Sequence, residues 1–140
     1  MSQSAADSAA REALDRYARS YETRSPQRMN DLLALDDPRF GQFDAVSSGL
    51  LNADQARIEN LILRNLSEPR MRFEDVRAAP LATDVVLVTA ILHGTVGGVL
   101  PRESFANRAT FVLVRSGGNW RIVHAHLSAA DECQPAQDGG

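Results

Sequence analysis

Two histidines near the C-terminal end are the first candidates for chemistry. The last apolar segment places Trp120, Ile122, His124, His126 and Ser128 at a period of two, and alternate residues of a strand share one face. Imidazole rings in an apolar strand cost free energy unless they are hydrogen-bonded, exposed or lining a cavity. The pattern therefore predicts either histidines bonded within the sheet or a pocket in which His124 and His126 contact a ligand.

Arg108 could complete such a pocket, since a guanidinium beside imidazoles suits an anionic ligand. Its face depends on the turn at Gly117-Gly118. A two-residue loop points Arg108 away from the histidines, whereas a three-residue loop with a left-handed glycine bulge brings it onto their face. We expect the three-residue loop, with the guanidinium and both imidazoles pointing inward onto a hollow beneath a bent sheet.

A carboxyl group and two phenols earlier in the chain are the next candidates. Asp44 follows Phe43 in a loop segment, and a carboxylate buried among aromatic rings would have a raised pKa suited to proton abstraction. The alternative is an exposed aspartate that caps a local turn. Tyr17 and Tyr21 lie one helical turn apart, either as hydrogen-bond donors to a ligand or as core residues with hydroxyls at the rim.

The elements that must position these residues fall into two halves. Residues 5–23 carry the i, i+3, i+4 stripe of an amphipathic helix. Ser25-Pro26 predicts the cap and first turn of a second helix, and Asn52 with Gln55 predicts a capping box for a third. The apolar residues expected to face inward from this third helix are Ile58, Leu61, Ile62 and Leu66.

After Pro69 the period changes to two, which predicts four strands at about 70–79, 85–96, 104–115 and 119–128. Helices followed by a meander of strands indicate an α+β layer arrangement. The second strand is apolar on both faces, so we expect helices over one face and a second subunit over the other. We also expect a disordered N-terminus at 1–7 and a flexible tail at 129–140 around a single domain at 8–128.

Composition excludes several classes of function. The chain has 140 residues, 44% of them hydrophobic, and a net charge of −3, which predicts one globular domain that binds neither nucleic acid nor membrane. A single cysteine, Cys133, and the lack of an export pattern lead us to expect a cytoplasmic protein. The absence of lysine excludes Schiff-base chemistry. No third ligand accompanies the two histidines at a recognised spacing, so we expect neither metal nor cofactor.

Several stretches resemble the SnoaL-like branch of the nuclear transport factor 2-like superfamily. The resemblance spans residues 8–128, and its stretches are Phe40–Asp44, Gly49, Asp75–Arg77, Pro80-Leu81, Leu92–Thr95 and Trp120–Ser128. The final strand is also similar to the association domain of calcium/calmodulin-dependent kinase II. The resemblance implies a cone-shaped, cystatin-like antiparallel sheet packed on three N-terminal helices. It further implies a pocket at the open end and a homodimer made through the sheet.

Three functions are compatible with this resemblance, because one fold serves many activities. The first is binding of a small organic ligand, anionic or polyketide-like, by His124, His126 and Arg108, with Tyr17, Tyr21, Phe43 and Trp120 as further ligand-binding residues. The second is an isomerase, cyclase or dehydratase that uses Asp44 or His126 as general base, with Tyr17 or Arg108 stabilising an enolate. The third is an association module without catalysis. Residues 106–114 hold no aspartate, which argues against steroid-type isomerisation.

Overall fold

The structure, a computed structural model, describes residues 1–97 and 103–130. Its helices are α1 (Gln3–Glu22), α2 (Pro26–Leu32) and α3 (Ala53–Asn60), the last of which continues into a 3-10 turn at Leu61–Asn65. Its strands are β1 (Gly41–Phe43), β2 (Ser67–Ala82), β3 (Val85–Gly97), β4 (Glu103–Ser116) and β5 (Asn119–Ala129). The predicted α+β class, with helices preceding a curved sheet, is confirmed.

The sheet is open and has the strand order β1-β5-β4-β3-β2. The strands β2 to β5 form the predicted antiparallel meander, and the short β1 adds a parallel edge strand beside β5. The helices cover one face, which we call the inner face. No helix in the described ranges is long and apolar enough to cross a bilayer.

Helix α1 packs a stripe of small residues against the inner face. The buried residues of this stripe are Ala6, Ala9, Ala10, Ala13 and Leu14. The helix begins at Gln3, because the Ser2 side chain accepts a hydrogen bond from the Ala5 backbone N–H at 3.0 Å and satisfies an otherwise free donor. Residues 3–7, which the sequence predicts to be disordered, therefore belong to this helix. Of the predicted tail at 129–140, Ala129 still belongs to β5, and residues from 131 onward lie outside the described part of the chain.

The two shorter helices start where their caps predict and differ from expectation further on. Ser25 caps α2, and Asn52 forms a reciprocal capping box with Gln55 at the start of α3. The prediction that Ile58, Leu61 and Ile62 face inward is wrong, since these side chains are 69%, 45% and 60% exposed. The helix turns the stripe of Ala56 and Asn60 inward instead, and the tighter 3-10 turn then buries Leu63.

The hairpin between β4 and β5 corrects the predicted three-residue loop. Ser116 pairs with Asn119 across a two-residue turn, in which Gly117 and Gly118 have φ values of +62° and +87°. Positive φ at both central positions is the requirement of a type I′ turn, whose twist matches that of the strands. If the register set by this turn continued unchanged along both strands, Arg108 would lie on the face opposite the histidines.

A bulge at Val123 changes this register within β5. Leu113 pairs with Ile122 and Val112 with His124, so that Val123 has no partner in β4. An extra residue shifts the alternation of side chains by one position. Trp120 and Ile122 therefore lie on the inner face, whereas His124, His126 and Ser128 lie on the outer one. The expected single row of five residues is thus divided between the two faces.

Arg108 does share a face with the histidines, since it pairs with Ser128. The shared face is the outer one, because the inner positions Ala109, Ala125 and Leu127 pack against the helices. The prediction that the guanidinium and imidazoles point inward is therefore wrong. The bulge, which the sequence pattern does not reveal, is the physical reason.

Candidate functional site

Two tyrosines and two carboxyl groups come together between the helices and the inner face of the sheet. Tyr17 and Tyr21 project from α1, Asp44 lies directly after β1, and Glu59 lies in the last turn of α3. Tyr17 interacts electrostatically with Glu59 and Asp44, and Asp44 interacts with Glu59. These interactions connect the members of the group. We call Tyr17, Tyr21, Asp44 and Glu59 the inner site.

Asp44 is held by its own loop and leaves one oxygen without a donor. Its Oδ1 accepts hydrogen bonds from the backbone N–H groups of Val46, at 3.0 Å, and Ser47, at 2.6 Å. Its Oδ2 is buried and has no hydrogen-bond donor among the described residues while Glu59 is ionised. A buried acceptor without a donor costs about 1–3 kcal/mol.

The Glu59 carboxyl group can supply the missing donor. It lies within hydrogen-bonding reach of Asp44 and accepts a 3.4 Å hydrogen bond from Ser47 Oγ at Oε2. Burial, and next the neighbouring Asp44, raise the pKa of Glu59 to about 7. A protonated Glu59 can donate to Asp44, so the two groups hold one proton between them near neutral pH.

Asp44 itself has a lowered pKa. Burial raises the pKa of this carboxyl group, but hydrogen bonds from Glu59, Ser47 and Val46 together outweigh burial and keep it ionised. The predicted raised pKa is therefore found on Glu59 rather than on Asp44. Unequal surroundings give one member of the pair the character of an acid and the other that of a base.

Tyr17 stands at the centre of the inner site, against an aromatic wall. Its ring centroid lies 5.9 Å from that of Phe73 and 5.5 Å from that of Phe111. Burial, followed by the charges of Glu59 and Asp44, raises its pKa well above the ordinary value, which keeps the hydroxyl protonated. The side chain is only half-buried and its hydroxyl makes no hydrogen bond with a described residue. Its hydroxyl is therefore a free donor at the inner site.

Tyr21 extends this wall toward the end of the sheet. Burial raises its pKa to about 12, and its ring lies edge-on to Phe105 at 6.3 Å. Phe105 packs over Gly94, where an added Cβ would overlap the ring. Both tyrosines are thus neutral donors at physiological pH.

The remaining predicted site residues lie elsewhere. Phe43 is on the outer face, with its ring 6.2 Å from that of His124 and 5.2 Å from that of His126. Trp120 is buried, with the Arg115 guanidinium 4.9 Å from its ring. Arg108 and His126 are exposed on the outer face. The structure therefore brings Tyr17, Tyr21 and Asp44 together and keeps the histidine group apart from them.

Glu59 is the member of the inner site that the sequence analysis missed. Its position follows from the inward stripe of α3, since Ala56, Glu59, Asn60 and Leu63 recur at i, i+3, i+4 and i+7. A carboxyl group on that stripe is the signal that could have identified it. The hydrophobic pattern favours Ile58 and Ile62 as the inward residues, because they are more hydrophobic than this stripe.

A groove beside the inner site runs between α1 and β2, and Phe73 of the aromatic wall is part of its lining. It has a volume of about 550 Å³ and its lining includes Arg11, Leu14 and Met71. Neither carboxyl group of the inner site lines it. We place the candidate chemistry at the inner site because the shifted pKa values and the unsatisfied oxygen are found there.

Solved structures from several bacteria share the fold. The chain is 17% identical to a protein from Streptomyces avermitilis provisionally named a dehydratase of the nuclear transport factor 2-like family, with a TM-score of 0.80 over 92% of this chain and 99% of that one. It is 12% identical to a protein from Novosphingobium aromaticivorans provisionally named a scytalone dehydratase, with a TM-score of 0.76 over 92% and 93% of the two chains.

A third structure, from Xanthomonas campestris, is provisionally named a calcium/calmodulin-dependent protein kinase II association domain. It is 21% identical, with a TM-score of 0.74 over 85% of this chain and 84% of that one. At these identities the likeness concerns the fold alone. No curated protein matches the sequence.

A family model described as the SnoaL-like domain matches residues 10–132. This range contains the four residues of the inner site and the five strands of the sheet. The predicted resemblance is thereby confirmed. The chain belongs to the SnoaL-like domain family.

Proposed function

We propose that the protein binds a small organic molecule at the inner site and catalyses proton transfer on it. The observation that carries this proposal is the pair formed by Asp44 and Glu59, in which the one donor that the described residues offer to the buried Oδ2 of Asp44 is a carboxyl group with a pKa of about 7. Such an arrangement is expensive for a purely structural role. It suits a site in which a ligand hydroxyl or acidic C–H completes the interaction.

The inner site divides the roles of an acid–base reaction among its members. The Asp44 carboxylate removes a proton from the substrate carbon, and the protonated Glu59 returns one to another position. The neutral hydroxyl of Tyr17 donates a hydrogen bond to the oxygen on which negative charge develops. The proton count balances, and the product is an isomer of the substrate or, if a hydroxyl group leaves as water, its dehydration product.

The surroundings favour a neutral, planar ligand over the anionic one that the sequence suggests. The half-buried rings of Tyr17 and Phe73 offer aromatic surface, which the buried Phe111 supports from behind, while Asp44 contributes negative charge. Arg108, the cation expected beside the ligand, is on the other face of the sheet. Binding without turnover remains the simplest alternative, and it uses the same residues.

Binding of 2-naphthol tests this proposal. Its flat ring fits the aromatic wall, and its hydroxyl can donate to Asp44 Oδ2. We expect amide NMR shifts at Tyr17, Asp44 and Glu59 that saturate, and at least tenfold weaker binding to Asp44→Asn. Asparagine retains the Oδ1 acceptor for Val46 and Ser47, so the loop should stay folded.

The control is Asp15→Asn, which removes an exposed carboxylate from α1 and should leave the affinity unchanged. Equal affinities for Asp44→Asn and the wild type, or shifts confined to the groove between α1 and β2, would contradict the proposal. Native mass spectrometry of the purified protein tests the same site for a small molecule retained from the host. A retained molecule that Asp44→Asn releases identifies the ligand.

A second candidate function is association through the outer face. Val85, Leu87, Val112 and Val114 form an aliphatic area there, and the first three are only half-buried. We propose a homodimer that covers this area, in the cytoplasm. Light scattering after size exclusion should give the mass of a dimer for the wild type and of a monomer for Leu87→Asp. The control Ile62→Asp alters an exposed residue of the 3-10 turn and should remain dimeric.

A further inference from the structure

A row of polar side chains crosses the outer face at right angles to the strands. Arg77 of β2 pairs with Thr89 of β3, Thr89 with Thr110 of β4, and Thr110 with His126 of β5. Paired residues project from the same face, so the four side chains form one continuous line. We call Arg77, Thr89, Thr110 and His126 the outer polar band.

Arg108 lies beside this band and is free to bind. It stands one row away, between Ile91 and Ser128. Within residues 1–97 and 103–130 its guanidinium makes neither a hydrogen bond nor an ion pair. An unpaired guanidinium retains five donors in a planar arrangement that matches an oxyanion.

A shallow cavity of about 200 Å³ connects Arg108 to the band. Its lining includes both guanidinium residues, Arg77 and Arg108, and both hydroxyl residues, Thr89 and Thr110. The carboxylate that lines it, Asp75, contacts Arg77 Nε at 3.4 Å and offsets one positive charge. The cavity therefore carries a net charge of about +1 and several unused donors.

A bulge in β2 contributes to the alignment of Arg77 with Thr89 and Thr110. The register shifts between Glu74 and Arg77, and Asp75 takes a left-handed φ of +53°. A β-bulge redirects side chains locally, and here Arg77 is aligned with the threonine pair. On the other side, Phe43 lies 5.2 Å from the His126 ring and closes the end of the band.

We infer that the outer polar band and Arg108 form a second ligand site, separate from the inner site, that binds a small oxyanion such as a phosphate or carboxylate group. Arg108 and Arg77 supply the charge, and the hydroxyls of Thr89 and Thr110 donate from the floor. Because the site opens to solvent, its affinity depends on ionic strength. It lies beside the aliphatic area of the same face rather than within it.

Titration by NMR with inorganic phosphate and, separately, acetate tests this inference. Sodium chloride at equal ionic strength is the reference. We expect saturable shifts of the Thr89, Arg108 and Thr110 amides and of the His126 ring with at least one oxyanion. The comparison of phosphate with acetate identifies the preferred geometry.

Arg108→Gln should weaken the binding at least fivefold. The matched control, Arg57→Gln, removes the same charge from α3 and should bind as the wild type does. If both variants lose affinity equally, or if neither oxyanion produces shifts beyond those of chloride, the inference is overturned. The result is independent of the inner site, because 2-naphthol binding is measured on different amides.

Discussion

The inner site and the outer polar band lie on opposite faces of one sheet and differ in their contact with water. In the inner site, burial and the neighbouring Asp44 raise the pKa of Glu59 to about 7, and a protonated Glu59 is the one donor that the described residues offer to Asp44 Oδ2. On the outer face, Arg108 and His126 are exposed to solvent. Both regions contain ionisable side chains, so residue type alone does not distinguish them. The face of the sheet therefore determines whether an ionisable side chain belongs to a buried cluster with shifted pKa values or is open to solvent.

The largest expected effect on stability comes from two neighbouring residues of β4 whose side chains lie on opposite faces of the sheet. Phe111 is fully buried against Tyr17 and Phe73 on the inner face, whereas Val112 is half-buried on the outer face. We expect Phe111→Ala to lower the free energy of unfolding by about 3–5 kcal/mol because it leaves a cavity. Val112→Ala should cost about 1 kcal/mol. Urea unfolding monitored by circular dichroism measures both, and equal losses would contradict the assignment of faces.

A smaller effect tests the turn that sets the register of β4 and β5. Gly118 has a φ of +87°, and no atom lies near an added Cβ. Gly118→Ala should therefore destabilise the protein by about 1–2 kcal/mol through backbone strain alone. Gly49→Ala, which also has open space around its Cβ, is the control and should be close to neutral. Thermal unfolding of the two variants, followed in parallel, decides whether the two-residue turn is correct.

The pH dependence of stability tests the carboxyl pair. The folded pKa of Glu59, about 7, lies above its ordinary value of 4.5. The folded state therefore binds more protons in this interval, and stability falls as pH rises from 4.5 to 7. A fully shielded group would lose roughly 3 kcal/mol, but Glu59 is partly exposed, so we expect about 1 kcal/mol.

Glu59→Gln should remove this decline, because glutamine donates to Asp44 at every pH. Glu103→Gln, at the exposed start of β4, serves as control and should decline as the wild type does. Chemical denaturation at several pH values between 4.5 and 7 supplies the measurement. A wild type whose stability is flat across this interval would show that the two carboxyl groups do not share a proton.

The smallest effect on stability is expected at Arg108, beside the outer polar band. Arg108 has no partner within the described residues and its side chain is solvated. Arg108→Gln should change the free energy of unfolding by less than about 0.5 kcal/mol in chloride buffer. A loss above about 1 kcal/mol in chemical denaturation would assign Arg108 a structural role and would remove the contrast with the inner site.

The fold and the caps could be predicted from local sequence patterns. Ser25-Pro26 and Asn52 with Gln55 mark helix starts through hydrogen bonds within a few residues, so no tertiary information is needed. The alanine stripe of α1 likewise follows from period alone. Asp44 and the tyrosine pair can be named as candidates from their residue types and their positions in the chain.

The histidine row could not be assigned correctly from sequence. An extra residue at Val123 puts the two parts of β5 out of phase, and no residue type marks a bulge of this kind. Glu59 was missed for a different reason, since the exposed Ile58 and Ile62 are more hydrophobic than the stripe that packs inward. Tertiary packing overrides hydrophobic pattern where a short helix has two apolar stripes.

The consecutive residues Phe43 and Asp44 belong to different faces. Phe43 closes the outer polar band, and the next residue supplies the carboxylate of the inner site. A ligand on either face that displaced this edge of the sheet would alter affinity on the other, and the coupling would have equal magnitude in both directions. Measuring the affinity for phosphate with and without saturating 2-naphthol gives that coupling as a ratio, and a ratio of one means that the two sites bind independently.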